Sequence, residues 1–369
     1  MDSLDCAAYL RRLSTEILKA TEPFSQFIFA TCRAGSESFL KTEVALNHKK
    51  LKPAFMRPQL VSWKSDKTLG SEFALRSIFA RTWGLSLGLF ATVDEIARRA
   101  AEFPGVTFHL QAYPRVVPED GVLGAMWELV DAKREALDAA LVATGVSLHP
   151  PGRPKIGEWV LDVIVGEGDE PFFLGAHLHS SETHPLPGGL PRLVLPEAAP
   201  SRAWLKLEQA LAFAGLDKNG LLKNKVALEL GCAPGGATYA MLNRGMRVIG
   251  VDPAEMAPCV TEFRGVPGAS FTHLPVSVNA ITRKDVPAWL DLLVSDMNLA
   301  PPIALRQVER IQSYVHAQAL IITVKINDPA MQMRIDDFIK HVRHFAPEPV
   351  RAMQLPANRS EICIVAGEF

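Results

Sequence analysis

A glycine-rich loop between a predicted strand and a predicted helix most constrains the fold of this chain. Residues 226–242, VALELGCAPGGATYAML, begin as a short apolar strand, pass through a loop at 231–236 and continue with helical spacing. The next predicted strand, 247–251, ends at Asp252. This order of strand, loop, helix and strand predicts a parallel sheet whose ligand lies at the carboxyl ends of the strands.

The alternation of strands and helices continues to the end of the chain. Further strands are predicted at 292–295, 319–326, 351–355 and 362–366, and a helix is predicted at 331–344. Alternating elements of this kind favour an α/β domain with a mostly parallel sheet covered on both faces.

The residues around the glycine loop favour an adenosine ligand that carries an ammonium group. Glu229 and Gly231 lead into the loop, and an acidic residue there suits S-adenosylmethionine better than a pyrophosphate. Asp252 can accept hydrogen bonds from the ribose hydroxyls. A dinucleotide loop would read G-x-G-x-x-G, whereas this loop reads G-x-x-x-G-G. We therefore expect S-adenosylmethionine; a structural glycine turn and a nicotinamide cofactor remain alternatives.

Four charged residues could surround one pocket beside that loop. Asp296 follows a predicted strand, Lys325 interrupts an apolar strand, Glu361 opens the last strand, and Lys206 lies in a predicted helix. A lysine near the end of a buried strand is costly unless it is paired or neutral. Taken alone, Lys206 is an ordinary helix lysine, Glu361 is an exposed carboxylate, and Lys325 could reach solvent from the strand end.

The same four residues suit methyl transfer to a ribose 2′-hydroxyl, which needs in-line placement and removal of a proton. Lys325 is the candidate base and would need a lowered pKa. Burial and the neighbouring cation Lys206 would lower it, whereas Asp296 and Glu361 oppose that shift. Alternatively, Lys325 orients the hydroxyl and stabilises developing negative charge.

The N-terminal half predicts an α+β module without a glycine-rich nucleotide loop. Strands are predicted at 27–32, 60–64, 107–113, 159–165 and 172–179, and helices at 4–20, 37–46 and 131–144. Residues 78–90 are apolar throughout, so the spacing of their apolar residues does not distinguish a helix from a strand. A stretch rich in proline and glycine predicts a linker at 186–200, between regions 1–185 and 201–369; the alternative is a surface loop within one domain.

The composition of the chain limits its domain number, its RNA contacts and its cellular setting. The chain has 369 residues, of which 48% are hydrophobic and 21% charged, and a formal net charge of −1. Two domains are expected, and any RNA contact must come from local basic patches. The five scattered cysteines form no CxxC pair, so we expect no disulfide framework, no metal site and a reduced cytoplasmic setting. Neither a secretory signal nor a transmembrane segment is expected.

The C-terminal half, 201–369, resembles the FtsJ-like family of RNA ribose 2′-O-methyltransferases. In that family a Lys-Asp-Lys-Glu tetrad is catalytic, and Lys206, Asp296, Lys325 and Glu361 match its motifs in order and context. The resemblance implies a Rossmann-like methyltransferase domain with a seven-stranded sheet and Lys325 as proton acceptor. It also implies cofactor contacts at Ser201, Ala233, Pro234, Gly235, Gly236, Asp252 and Asp296.

Within the family, the chain resembles the bacterial 23S rRNA cytidine 2′-O-methyltransferases more than the family as a whole. The similarity lies in segments 188–210, 29–44 and 78–84. It implies a THUMP-type RNA-binding domain, a cytidine of large-subunit rRNA as target and a monomer. Ser277 departs from the family pattern, because an acidic residue often stands there near the adenine. The loop also reads Cys-Ala-Pro where the family commonly has Ala-Cys-Pro.

The candidate RNA contacts are basic residues of the N-terminal region: Arg33, Lys41, Lys49, Lys50, Lys52 and Arg57.

Two other functions remain open. The chain could be an RNA-binding protein without turnover, or a methyltransferase for another RNA, a protein or a small molecule. The complete tetrad argues against the first alternative, and methyltransferases for proteins or small molecules do not need such a tetrad.

Overall fold

The chain forms two compact units in a computed structural model that describes residues 22–118 and 124–368. The first unit ends at Arg192 and the second begins at Leu193, inside the segment in which the sequence predicts a linker. The helix predicted at 4–20 lies outside the described residues. Within the described part of the chain, no helix has the length and apolar character needed to cross a membrane.

The first unit is built on an eight-stranded sheet. Its strands are β1 Ser25–Thr31, β2 Lys52–Arg57, β3 Leu60–Leu69, β4 Thr82–Phe90, β5 Thr107–Pro114, β6 Ser147–Leu148, β7 Trp159–Val165 and β8 Phe172–Leu178. Its helices are α1 Glu37–Asn47, α2 Val93–Ala100 and α3 Gly124–Ala143. The strand order is β2-β3-β1-β4-β8-β7-β5-β6, and only the pairings of β5 with β6 and β7 are parallel.

The ambiguous apolar segment at 78–90 contains β4. This strand pairs with β1 on one side and β8 on the other, and its first four residues are all buried. A central strand with both faces covered does not show the alternation of a half-exposed strand. The period of the sequence could therefore not identify it.

Part of the predicted linker at 186–200 instead packs into the first unit. Pro187–Gly189 form a 3-10 turn in which Gly188 is buried. A Cβ atom added at Gly188 would collide with the ring of Tyr113, and Arg81 Nε donates a hydrogen bond to the Gly188 carbonyl at 2.7 Å. In this turn the glycines therefore allow close packing against Tyr113 and Arg81.

The second unit is built on a seven-stranded sheet in the order β11-β10-β9-β12-β13-β15-β14. Its strands are β9 Val226–Leu230, β10 Arg247–Val251, β11 Ser270–Leu274, β12 Trp289–Ser295, β13 His316–Lys325, β14 Val350–Met353 and β15 Glu361–Gly367. Its helices are α4 Ala203–Ala214, α5 Gly236–Asn243, α6 Pro258–Thr261, α7 Pro301–Gln312, α8 Pro329–Gln332 and α9 Ile335–Phe345. Strands β9 to β13 are parallel, so the mostly parallel sheet predicted from the sequence is confirmed.

The strand ends that carry polar residues lie at one edge of this sheet. The parallel strands end there, whereas β15 runs antiparallel to β13 and therefore begins there. Behind this edge, buried side chains of α4, α5 and β12 form a continuous core that includes Leu211, Met241 and Leu292. The edge is therefore a polar surface on a rigid apolar base.

Candidate active site

The loop between β9 and α5 has a backbone that only glycine permits at two positions. Gly231 has a φ of 81°, and a Cβ atom there would lie 2.9 Å from the carbonyl oxygen of Asp296. Gly235 has a φ of 114°, and a Cβ atom there would lie 2.6 Å from Cγ2 of Val260. Without these side chains the loop backbone can lie close to Asp296 and Val260.

Asp252, at the end of β10, holds the loop in place. Its Oδ2 accepts a hydrogen bond from the amide of Ala233 at 3.2 Å, and its Oδ1 accepts one from the amide of Ala254 at 2.9 Å. A carboxylate has about four acceptor positions, so these bonds leave room for ribose hydroxyls. The sequence analysis identified Asp252 as a ligand residue but missed this bracing role.

Glu229 lies under the loop with 2% of its surface exposed. Thr238 Oγ1 donates a hydrogen bond to its Oε2 at 2.5 Å. Burial raises the pKa of Glu229 to about 8; the Thr238 hydrogen bond opposes this shift, and the charges of Asp296 and Asp252 add to it. A cationic ligand nearby would favour the ionised form of this carboxyl.

Ser201 lies beside the end of the loop. Its Oγ accepts a hydrogen bond from the amide of Ala203 at 3.3 Å, just before α4. A Cβ atom at Gly236 would collide with Ser201 Oγ, so the starts of α4 and α5 are in contact. The carbonyl of Pro234 accepts a hydrogen bond from the amide of Ala257 at 3.0 Å. The predicted cofactor residues thus form one connected region.

The four residues of the predicted tetrad also lie together. Lys206 Nζ is 3.2 Å from Asp296 Oδ2 and 2.7 Å from Glu361 Oε2. Lys325 Nζ is 3.5 Å from Glu361 Oε1. Charges therefore alternate in the order Asp296, Lys206, Glu361, Lys325.

Each member of the tetrad is positioned by a different element. Lys206 projects from the first half of α4. Asp296 follows β12, and its amide donates a hydrogen bond to the carbonyl of Leu230 in β9 at 3.1 Å. Lys325 ends β13 and is the direct register partner of Glu361, which begins β15.

The carboxylates keep Lys206 charged. Burial by itself lowers the pKa of Lys206, but the charges of Asp296 and Glu361 outweigh burial, and the net pKa is raised. Lys206 is therefore an ammonium group at neutral pH and cannot accept a proton from a substrate. Lys325 contacts only one of the two carboxylates at ion-pair distance among the described residues, and its side chain is 24% exposed.

A cavity of about 20 Å³ adjoins the tetrad, enough for one water molecule. Its lining includes Thr323 and Asn358, two polar residues that the sequence analysis missed. Asn358 is 2% exposed, and its Oδ1 accepts a hydrogen bond from the amide of Leu355 at 3.0 Å. Its position shortly before Glu361 was the only sequence indication of this location.

The chain is similar to known methyltransferases. Residues 199–346 match the model of the FtsJ-like methyltransferase family. Ribosomal RNA large subunit methyltransferase M of Pseudomonas aeruginosa strain PAO1 is 31% identical over 257 residues, which cover 61% of this chain and 66% of that protein. The protein of the same name from Azotobacter vinelandii is 33% identical over 199 residues, which cover 49% of this chain and 50% of that protein.

The matched part of the chain thus spans between half and slightly less than two thirds of the length of these relatives. Among solved structures, TrmN from Thermus thermophilus aligns with a TM-score of 0.36 and 15% identity, covering 94% of this chain and 100% of that one.

Proposed function

We propose that this chain transfers a methyl group from S-adenosylmethionine to a ribose 2′-hydroxyl in RNA, since residues 199–346 match the model of the FtsJ-like methyltransferase family. The alternating row of Asp296, Lys206, Glu361 and Lys325 carries this proposal. We propose a cytidine of 23S rRNA as the target. The names of the rRNA methyltransferase relatives support a large-subunit substrate.

The residues at the sheet edge fit S-adenosylmethionine. The buried carboxyl of Glu229 suits a cationic ligand, and Asp252 at the end of β10 suits a ribose. The cofactor supplies an electrophilic methyl group when bound. In this proposal it is held by Glu229 and Asp252 together with Ser201, Gly231, Ala233, Pro234, Gly235, Gly236 and Asp296.

Lys325 is the residue that accepts the hydroxyl proton in this proposal. Glu361 lies nearer to Lys206, at 2.7 Å, than to Lys325, at 3.5 Å. Glu361 therefore pairs more closely with Lys206 and can still hold the Lys325 amine in place. Lys206 acts as a positioning residue that contacts both carboxylates.

We further propose that the first unit is a THUMP-like RNA-binding domain in a monomeric, cytoplasmic protein. Four of its candidate basic residues are exposed: Lys49, Lys50, Lys52 and Arg57. Lys50 forms an exposed ion pair with Asp66, which contributes little to stability and leaves the amine accessible to phosphate. Arg57 lies over the ring of Phe55 at 5.7 Å, an arrangement suited to an unpaired base.

The first test is a methyl-transfer assay on isolated rRNA. The purified chain would be incubated with labelled S-adenosylmethionine and large-subunit rRNA from a strain lacking the gene, and the RNA would then be digested to nucleosides. Mass spectrometry should identify 2′-O-methylcytidine. A base-methylated nucleoside would contradict the assignment of the tetrad, and no transfer to RNA would contradict the proposed substrate class.

A second test removes the proposed base. Lys325→Ala should abolish methyl transfer while cofactor affinity stays within a few fold, since Lys325 is placed at the substrate and not at the cofactor loop. Lys340→Ala is the matched control, because Lys340 is an exposed helix lysine. Normal turnover of Lys325→Ala would rule out the role given to Lys325. RNA binding without turnover in the unaltered chain would favour the binding-protein alternative.

A further inference from the structure

One end of the sheet in the first unit gathers three potential metal ligands from distant parts of the chain. His109 lies in β5, His149 directly follows β6, and Glu158 directly precedes β7. One ligand atom of each residue lies within 4.8 Å of the corresponding atoms of the other two. The set is far from the tetrad in sequence and belongs to a different unit.

Parallel pairing of β5 with β6 brings the two histidines together. Phe108 and Leu148 are register partners, and the amide of His149 donates a hydrogen bond to the carbonyl of Phe108 at 2.9 Å. The imidazole rings of His109 and His149 are consequently stacked, with centroids 4.2 Å apart and an interplanar angle of 12°. Backbone register, and not a flexible loop, therefore sets their spacing.

Glu158 completes the set from the other side of β5. His109 Nε2 lies 2.7 Å from Glu158 Oε2, and the amide of Lys155 donates a hydrogen bond to the same oxygen at 2.6 Å. The backbone thus fixes the carboxylate independently of the histidine. His109 is 8% exposed and the Glu158 side chain 25%, so the group is shielded and still accessible to a small ion.

An ion pair accounts for only two of the three residues. It uses His109 and Glu158, whereas neither ring nitrogen of His149 has a hydrogen-bond partner among the described residues. As metal ligands, two imidazoles and one carboxylate would together carry a net charge of −1, which suits a divalent cation. Nitrogen ligands favour Zn²⁺ over Mg²⁺ and Ca²⁺, which prefer sets made only of oxygens.

We propose that His109, His149 and Glu158 bind a zinc ion, with water as the fourth ligand. Metal–ligand distances of about 2.0–2.2 Å require the ring of His149 to rotate out of the stack toward the ion. The bound ion would join β5, the residue after β6 and the residue before β7, and so stabilise the first unit. The sequence analysis expected no metal because it looked for closely spaced ligands, whereas these three meet only through strand pairing.

Calorimetric titration of the full-length, untagged, metal-free chain with zinc chloride tests the site. Wild-type protein should bind one zinc ion saturably and should not bind Mg²⁺ under the same conditions. His149→Gln should weaken zinc binding at least about tenfold, since one of three protein ligands is lost. His344→Gln is the matched control, because His344 is exposed and lies in the second unit, and it should bind zinc like the wild type.

A second variant distinguishes the loss of a metal ligand from a folding defect. Glu158→Gln keeps an acceptor for the Lys155 amide but loses the charge, and it too should weaken zinc binding. Zinc should raise the unfolding temperature of wild type and of His344→Gln, but not that of the two site variants. The proposal is overturned if wild-type protein shows no saturable zinc binding, or if His149→Gln and Glu158→Gln both bind zinc with wild-type affinity.

Discussion

Replacing Glu229 by glutamine should stabilise the cofactor-free protein above neutral pH. Glu229 is 2% exposed, and burial raises its pKa from 4.5 to about 8. Between these values the folded protein holds a proton that the unfolded chain has lost. The stability contributed by this proton is fully present below about pH 4.5 and is lost as the pH rises toward about 8.

The size of the effect follows from the difference between the two pKa values. About 3.5 units, at 1.36 kcal/mol per unit, set an upper limit of about 5 kcal/mol. Glutamine has no charge to desolvate, and its side-chain oxygen can still accept the hydrogen bond from Thr238. The free energy of unfolding of Glu229→Gln should therefore equal that of wild type near about pH 4.5 and exceed it by up to about 5 kcal/mol near about pH 9.

Urea unfolding followed by circular dichroism over this pH range would measure the difference. Glu255→Gln is the matched control, because Glu255 is exposed close to the same loop and should follow the wild type at every pH. Wild type should lose about 1.4 kcal/mol per pH unit relative to Glu229→Gln between the two pKa values. Parallel pH profiles for wild type and Glu229→Gln would refute a raised pKa at this position.

Three further substitutions test the site and the folded turn. Asp252→Ala should weaken S-adenosylmethionine binding by about 1–3 kcal/mol, through lost hydrogen bonds to the ribose and the loop; unchanged affinity by calorimetry would contradict the assignment. Lys206→Met should reduce methyl transfer by roughly a hundredfold, because Asp296 and Glu361 would lose the cation that lies between them, while the exposed control Lys218→Met stays active. Gly188→Ala should destabilise the first unit by about 1–3 kcal/mol more than Gly105→Ala in thermal unfolding. Both glycines have positive φ, but only Gly188 has a ring in the way, so equal losses would exclude the packing argument.

The site was predictable where it depends on parallel strands. Carboxyl ends of neighbouring parallel strands share an edge, so Asp252, Asp296 and Lys325 could be placed together from strand positions alone. Lys206 and Glu361 were not distinctive by themselves. Glu361 lies at the first residue of an antiparallel strand, where the parallel-edge rule does not apply, and the family resemblance identified it instead.

Strand β2 and helix α2 were not predicted from the sequence, and the causes are physical. Strand β2, Lys52–Arg57, is an exposed edge strand without apolar alternation. Helix α2 is only eight residues long, but its start was recognisable: Thr92 and Glu95 form a capping box, with each side chain accepting from the other's backbone amide. Contacts that depend on register between distant strands, such as that of His109 with His149, leave no local pattern in a sequence.

The register of β15 against β13 makes the proposed methyl transfer a sensitive reporter of sheet assembly. A slip of one residue would turn the Glu361 side chain to the opposite face of the sheet and separate it from Lys325 and Lys206. The exposed residues Arg359 and Ser360 can absorb an insertion directly before the strand, whereas an insertion inside β15 cannot be absorbed. A screen of insertion variants by activity should therefore show an abrupt boundary at Glu361, tolerant at Arg359 and Ser360 and intolerant after Glu361.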